Sequence, residues 1–402
     1  MRKKTFYILT LTLIPSLSEA QYLRLSNATA GSALYLNTER IFSYNRYDGG
    51  HVEGSFYYAI PNQYDASASP TAPQWQFTGY AGYGGKSHYT SFGGSVAMQD
   101  RKTTHRWKPT VSFCHELEQA GRIALQDYNL LNPSQNTVYM TDRFSAIDRL
   151  SLGLSGRFGR NNSFSINLRQ SIERQLFAQD GTLLYDNAEL NQQYKYTEAQ
   201  LRLTHNSRLT LDIVAGMTDF DQETAYLRSI VQYSRTCALG SRIAARLFSQ
   251  GGYATSHTPY SRIFDISGTY GSYFFFTNTM LTVNPNEFHA HLYARGTVAL
   301  QTQKPLWQCR FSAPTPFVQA GLLYGWLTHE GKLTAHATVN GMALNAPTQG
   351  VLEPSIGINS LLRWSRLDIG IAAAVRLTPN KAYYHQADSS RDFALMFTAQ
   401  II

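Results

Sequence analysis

The chain has 402 residues, a formal net charge of +8, 13% aromatic residues and only 15% charged ones. Beyond its first twenty residues no stretch reaches the ~20 apolar residues of a membrane helix, and no basic run interleaved with aromatics marks a nucleic-acid surface. Cys114, Cys237 and Cys309 are odd in number and offer neither a CxxC nor a zinc spacing, so they predict no disulfide framework and no metal site.

Residues 1–20 read as an export signal. Arg2, Lys3 and Lys4 form a basic start, Phe6 to Leu17 a short apolar run, and Ser18-Glu19-Ala20 a small-residue cleavage region before Gln21. An exported chain without membrane helices is either soluble in the envelope or a β-barrel in an outer membrane. Composition favours the barrel: 26 Tyr, 21 Phe and 29 Gly with a mean hydropathy of −0.29 suit a wall with one face in lipid and one face polar. A soluble sandwich of this size usually carries more surface charge.

Residues 21–49 read as a periplasmic lead-in, and 50–402 as one barrel. Sixteen candidate strands follow, at 50–60, 74–83, 86–98, 107–117, 149–158, 163–174, 195–205, 208–218, 226–236, 241–249, 261–271, 291–301, 317–327, 355–364, 367–377 and 391–402. Most have the ~9–11 residues that a tilted strand needs to cross a bilayer. The clearest is the hairpin 150–172. Phe164, Ile166 and Leu168 alternate with Ser163, Ser165, Asn167 and Arg169 after the turn Gly159-Arg160-Asn161-Asn162. Strict period two sends alternate side chains to opposite faces. The same alternation sets Leu201 and Leu203 against Arg202, and Leu211 and Ile213 against Asp212. It recurs in Ile369 and Ile371, and in Phe393 to Ile401 of the last strand, which is expected to close the barrel.

The fold class is therefore all-β, a transmembrane antiparallel β-barrel of about sixteen strands. Its apolar parity is expected to face lipid and its polar parity the lumen. Lumen-facing candidates are Arg157, Arg169, Arg202, Asp212, Arg242, Arg246, Arg295, Arg363, Asp368 and Arg376, which either line a wet channel or pair and plug it. Short connections at 84–85, 159–162, 206–207, 237–240 and 365–366 are expected to be periplasmic turns, and long ones at 61–73, 175–194, 328–354 and 378–390 outside loops. That parity breaks at 118–148 and within 250–290, where a strand is missed or false.

No sequence pattern assembles an active site. HExxH, GxSxG and phosphate-loop motifs are missing from the sequence. In His115-Glu116-Leu117-Glu118, strand geometry sends the histidine and the acids to opposite faces, and Ser256-His257 and His329-Glu330 lack a third partner. No catalytic, cofactor-binding or metal residues are assigned, and the chain is read as a non-enzyme.

Several stretches resemble a family of outer-membrane proteins from Bacteroidetes-type bacteria. Its barrel follows a carboxypeptidase-regulatory-like domain and is related to the outer-membrane assembly-factor (surface antigen) superfamily. The first is Phe42-Ser43-Tyr44-Asn45-Arg46-Tyr47-Asp48-Gly49, from which Phe42, Tyr44, Asn45, Arg46 and Gly49 form the family-like motif. Gly79-Tyr80-Ala81-Gly82-Tyr83-Gly84, Pro259-Tyr260-Ser261-Arg262 and Asn286-Glu287-Phe288 follow in the family's order. The regulatory-like domain and chaperone-like periplasmic repeats have no counterpart, and Ala294-Arg295-Gly296-Thr297 is a poor match to the superfamily's Val-Arg-Gly-aromatic loop. The resemblance implies a Gram-negative outer membrane and a role in envelope assembly, transport or structure. The implied partners are outer-membrane lipid, lipopolysaccharide and, during biogenesis, the barrel assembly machinery. A general small-solute porin is the alternative, and a barrel-embedded hydrolase a more distant one.

Overall fold

The computed structural model of the chain describes residues 22–24, 33–37, 42–45, 49–60, 73–100, 107–119, 121, 144–175, 193–219, 224–267, 274–275, 280–283, 287–339, 342–364, 367–377 and 392–401. The expected export signal lies outside them.

The described strands are β1 (Tyr22–Arg24), β2 (Ala33–Asn37), β3 (Phe42–Asn45), β4 (Gly49–Ile60), β5 (Pro73–Gly84), β6 (Thr90–Asp100), β7 (Trp107–Gln119) and β8 (Phe144–Phe158). Then come β9 (Asn162–Gln175), β10 (Gln193–His205), β11 (Leu209–Thr218), β12 (Thr224–Leu239), β13 (Ile243–Ala254), β14 (Phe264–Asp265), β15 (Phe274–Phe275) and β16 (His289–Ala290). The chain continues through β17 (Leu292–Thr302), β18 (Thr315–His329), β19 (Lys332–Thr334), β20 (His336–Val339), β21 (Met342–Asn345), β22 (Val351–Trp364), β23 (Leu367–Val375) and β24 (Phe393–Ile401).

Successive long strands pair antiparallel with their chain neighbours from β4 to β13, then through β17, β18, β22, β23 and β24. β2 and β3 both lie along β4 and act as one broken stave, which makes sixteen staves in an antiparallel β-barrel. The segment expected as a periplasmic lead-in thus supplies the first stave. The expected strand at 261–271 is not a stave. Pro259 introduces a 3₁₀ turn, Tyr260–Arg262, and residues 263–267 are all buried, so neither parity is left to face lipid. β24 pairs with β23 on one side, and its other edge takes β15 in parallel; among the described residues it makes no pair with the first stave, so the expected closure by the last strand is not what the ladder shows.

The alternation seen in the sequence is the alternation of the wall. Leu150, Leu152, Ile166, Leu168, Met217, Val318, Ile356, Leu362 and Leu395 are exposed on the outer face, which is the apolar belt a bilayer would cover. Many inward positions are polar or small, and others, such as Ile230, Tyr293 and Leu323, are large and buried. In β22 the register slips between Ile358 and Leu362 at a bulge that places Ser360 at φ 56°. Ile358 pairs with Ile371 and Leu362 with Ile369, so the bulge inserts an even number of residues and both sides keep one facing.

The two ends differ, and the register overturns two loop expectations: Ile60 and Pro73, which bracket the expected outside loop, stand at the short-turn end, and the expected periplasmic turn at 84–85 stands at the long-loop end. Residues 159–161, 206–208, 240–242, 303–314 and 365–366 join staves at one end; 120–143, 176–192, 255–291, 330–350 and 376–392 join them at the other. At the short-turn end Asn206 and Ser207 both have positive φ, 52° and 55°. That is the two-residue geometry that matches strand twist.

Candidate functional site: a segment folded into the lumen

β13 and β17 are paired neighbours, yet residues 255–291 separate them. Apart from β15, which lies on the edge of β24, the described parts of this segment fold inward. Phe264, Ile266, Met280, Val283 and Phe288 pack on inward side chains of the wall such as Ile230, Tyr293 and Leu323. β14 and β16 pair as a small ladder within it. Burial along the inner face follows from this filling: Tyr194, Tyr196, Glu198 and Gln200 of β10 are buried, whereas Arg202 and Thr204, nearer the short turns, are half-buried. The long-loop half of the lumen is occupied, and on β18 the packing reaches toward the short turns, where Leu281 meets Phe317.

One end of the segment is held by charge. Arg262, at the end of the 3₁₀ turn, is 5% exposed. Its Nε lies 3.3 Å from Glu198 and its Nη1 3.5 Å from Glu173. The guanidinium also covers the Tyr196 ring at 4.6 Å. Both carboxylates have further donors. The Tyr226 hydroxyl donates to Glu198 at 2.6 Å, and Ser145 and Ser261 donate to Glu173 at 2.7 and 3.0 Å. Gly216 makes room for this, because a Cβ there would meet the Tyr226 ring at 2.3 Å. Burial alone would lower the Arg262 pKa; Glu198 and Glu173 outweigh it and hold the pKa well above the ordinary value. A charge this deep is tolerable only when paired and hydrogen-bonded.

Gly121 adds a backbone clasp. Its N–H donates to the Ser261 carbonyl at 2.9 Å, and its carbonyl accepts from the Asp265 N–H at 2.8 Å. Its φ of +72° lies where glycine is favoured, and a Cβ would meet the Ile263 carbonyl oxygen at 2.5 Å.

The other end is held on the far wall. Glu353 of β22 accepts the N–H groups of Leu281 and Thr282 at 2.8 and 2.7 Å, and the Thr282 hydroxyl as well. Arg376 pairs with Glu287 at 2.6 Å and lies over the Phe288 ring. At the return to the wall, His291 Nδ1 accepts the Thr328 N–H at 3.0 Å.

The arginines singled out in the sequence are dispersed. Arg202 bonds Asp212 through Nε at 2.9 Å, and Arg169 bonds Gln200, both on the inner wall. Arg246 and Arg295 line small cavities beneath the segment, beside Phe248. Arg157 is exposed near the end of β8, and Arg242 is exposed in the β12–β13 turn. Arg363 is half-buried, its backbone N–H donating to Phe311. The Asp368 side chain lies outside the described residues, as does Arg46; Phe42, Tyr44 and Asn45 pair with Val52, Gly50 and Gly49. Of the ten, Arg376 joins the grip on the segment. Arg262, Glu173, Glu198 and Glu353 were not among them. The signal available for the first two acids was parity: Glu173 shares its face with Arg169, and Glu198 with Arg202.

His115 pairs with Asp148, which also takes Arg174, while Glu116 accepts Tyr80 at 3.0 Å and Glu118 pairs with Arg149. The histidine and the acids of that stretch serve separate contacts. Among the described residues no group of three or more His, Cys, Asp or Glu is placed to hold a metal ion.

No protein-family model matches the chain, and no curated protein matches it. Several solved structures do. CdiB from Acinetobacter baumannii shares 12% identity over 89% of this chain, with a TM-score of 0.44, and the chain spans 58% of that protein's length. CdiB from Escherichia coli shares 11% over 96% of this chain and 68% of its own, with a TM-score of 0.48. BamA from Haemophilus ducreyi lacking POTRA domains 1–3 shares 9% over 95% of this chain and 75% of its own, with a TM-score of 0.49. At these identities the likeness is one of fold alone.

Proposed function

We propose that the chain is an outer-membrane β-barrel of the assembly-factor-like type, with a lumen closed at rest, serving envelope assembly or transport rather than catalysis. The observation that carries this reading is Arg262, at the start of the inward-folded segment, held against Glu173 and Glu198 of the wall. An open porin needs a continuous wet path, and buried apolar side chains occupy the long-loop half of this one. A protein that moves or inserts a client needs a closure that can be displaced, and a segment held by a few ion pairs suits that role. Lipid, lipopolysaccharide and the barrel assembly machinery are its partners in this reading.

Half-buried Arg202 and Thr204, toward the short turns on β10, favour a second reading, a narrow small-solute pore. Single-channel recording on the refolded protein separates the two. The proposed function expects long silent traces with rare brief openings. A steady, large conductance in the unmodified protein would establish the pore instead.

A further inference from the structure

The charge at the short-turn end carries a second inference. The described turns there, 159–161, 206–208, 240–242 and 303–314, contain Arg160, Arg208, Arg242, Lys304 and Arg310 and no Asp or Glu. All five basic residues are exposed. Like charges around one rim repel one another, so nothing in the fold itself rewards the arrangement; a counter-charge outside the protein would.

The 303–314 connection shows where that counter-charge lies. It is the longest of these turns and it is ordered: the Leu306 N–H donates to the Pro314 carbonyl at 2.9 Å, and Cys309 and Ser312 bridge. Its return arm runs along β22, with the Ala313 N–H on Ser360 at 3.0 Å and the Arg363 N–H on the Phe311 carbonyl at 2.8 Å. It therefore lengthens the wall. Leu306, Trp307 and Phe311 are 54–60% exposed on it, continuous with the apolar outer face at Leu361 and Leu362. Aromatic and aliphatic side chains flanked by Lys304 and Arg310, at the end of a lipid-facing wall, match a membrane interface: apolar groups on the acyl side, cations at the headgroups.

We infer that the short-turn rim is a collar for anionic glycerophospholipid headgroups, with Trp307 and Phe311 set into the interface and the basic residues on the phosphates. This rests on the barrel reading above and adds which leaflet chemistry it requires. Lipid attraction of this kind grows with the number of basic residues near the surface and fades with salt.

The test uses the full chain refolded into vesicles of phosphatidylcholine alone or with phosphatidylglycerol, followed by the temperature at which its gel mobility shifts. The collar predicts that phosphatidylglycerol raises the shift temperature of the unmodified protein by several degrees at low salt. The combined variant R208Q/R242Q/K304Q/R310Q should lose that gain. K86Q/K332Q, at the opposite end, should keep it. The fluorescence difference between the unmodified protein and W307F isolates Trp307, and lipid brominated near the headgroup should quench it. Insertion with no response to phosphatidylglycerol, an equal gain in the four-site variant, or an unquenched Trp307 would each overturn the collar while leaving the barrel standing. Failure to insert into any vesicle would overturn both.

Discussion

Arg262 Nε stands 3.3 Å from the Glu198 carboxylate, and the two belong to parts of the chain with different tasks, a segment inside the barrel and a stave of its wall. The contact converts a loop into a filling. Removing the cation leaves Glu198 and Glu173 buried without their counter-charge. Breaking one side of a buried pair typically costs ~3–5 kcal/mol. Arg262→Gln is therefore expected to loosen the segment, read as more frequent channel openings and a lower gel-shift temperature. Adding Glu173→Gln and Glu198→Gln should restore part of the loss. Unchanged silence in R262Q would assign the closure to packing instead.

Gly121 holds the same turn without charge. Gly121→Ala combines a left-handed backbone with a Cβ at 2.5 Å from the Ile263 carbonyl. Strain of this type costs on the order of 1–3 kcal/mol. The expected result is an inserted barrel with openings like those of R262Q. A variant indistinguishable from the parent in recordings would show that the clasp is dispensable.

The outer face should be intolerant of charge in a way the inner face is not. Leu168 is 54% exposed, and its neighbour Asn167 turns inward to donate to Gln200 at 3.3 Å. Leu168→Arg should cost ~2–4 kcal/mol if it lies near the bilayer midplane. Asn167→Ser should be nearly silent. Equal losses of folded, heat-modifiable protein in the two variants would contradict the facing of β9.

His291 gives a pH dependence with a definite sign. It is fully buried, its Nδ1 is occupied as an acceptor, and burial lowers its pKa to about 4. An unfolded histidine titrates near ~6.5, so the unfolded chain binds the proton first. The stability from neutral His291 is complete above that value and is lost as pH falls toward about 4. His291→Asn keeps an acceptor for Thr328 and removes the titration. Its stability should fall less steeply than the parent's between those limits, as measured by urea unfolding in detergent or lipid. Parallel curves would rule the histidine out as their source.

Much of the wall was legible because period two is a local signal. Fifteen of the staves coincide with sequence-predicted strands, and even the β22 bulge does no harm, since its even insertion leaves Ile356 and Leu362 on one parity. The first stave was not legible: β2 and β3 are five and four residues long, too short for alternation to show. The site was legible only in fragments. Pro259 to Arg262 stood out as a motif, but the acids that meet Arg262 come from β9 and β10, and no local pattern reports a contact made across a lumen. The strand wrongly expected at 261–271 has the same origin, since a segment buried on all sides can carry strand-like apolar residues without being in a sheet.

The segment's two holds lie on nearly opposite walls. Arg262 grips β9 and β10, the seventh and eighth staves, while Glu353 grips β22, the fourteenth of sixteen. The segment is therefore a cross-tie. A barrel wall is a thin shell that flattens easily under uneven lateral pressure, and a tie across its width opposes that flattening. Both ends of the tie spring from adjacent staves, so it can be withdrawn like a bolt without separating stave from stave, although β15 must leave the edge of β24. Stiffness against deformation and opening of the lumen would then be governed by one part, and whatever draws the bolt softens the shell at the same moment.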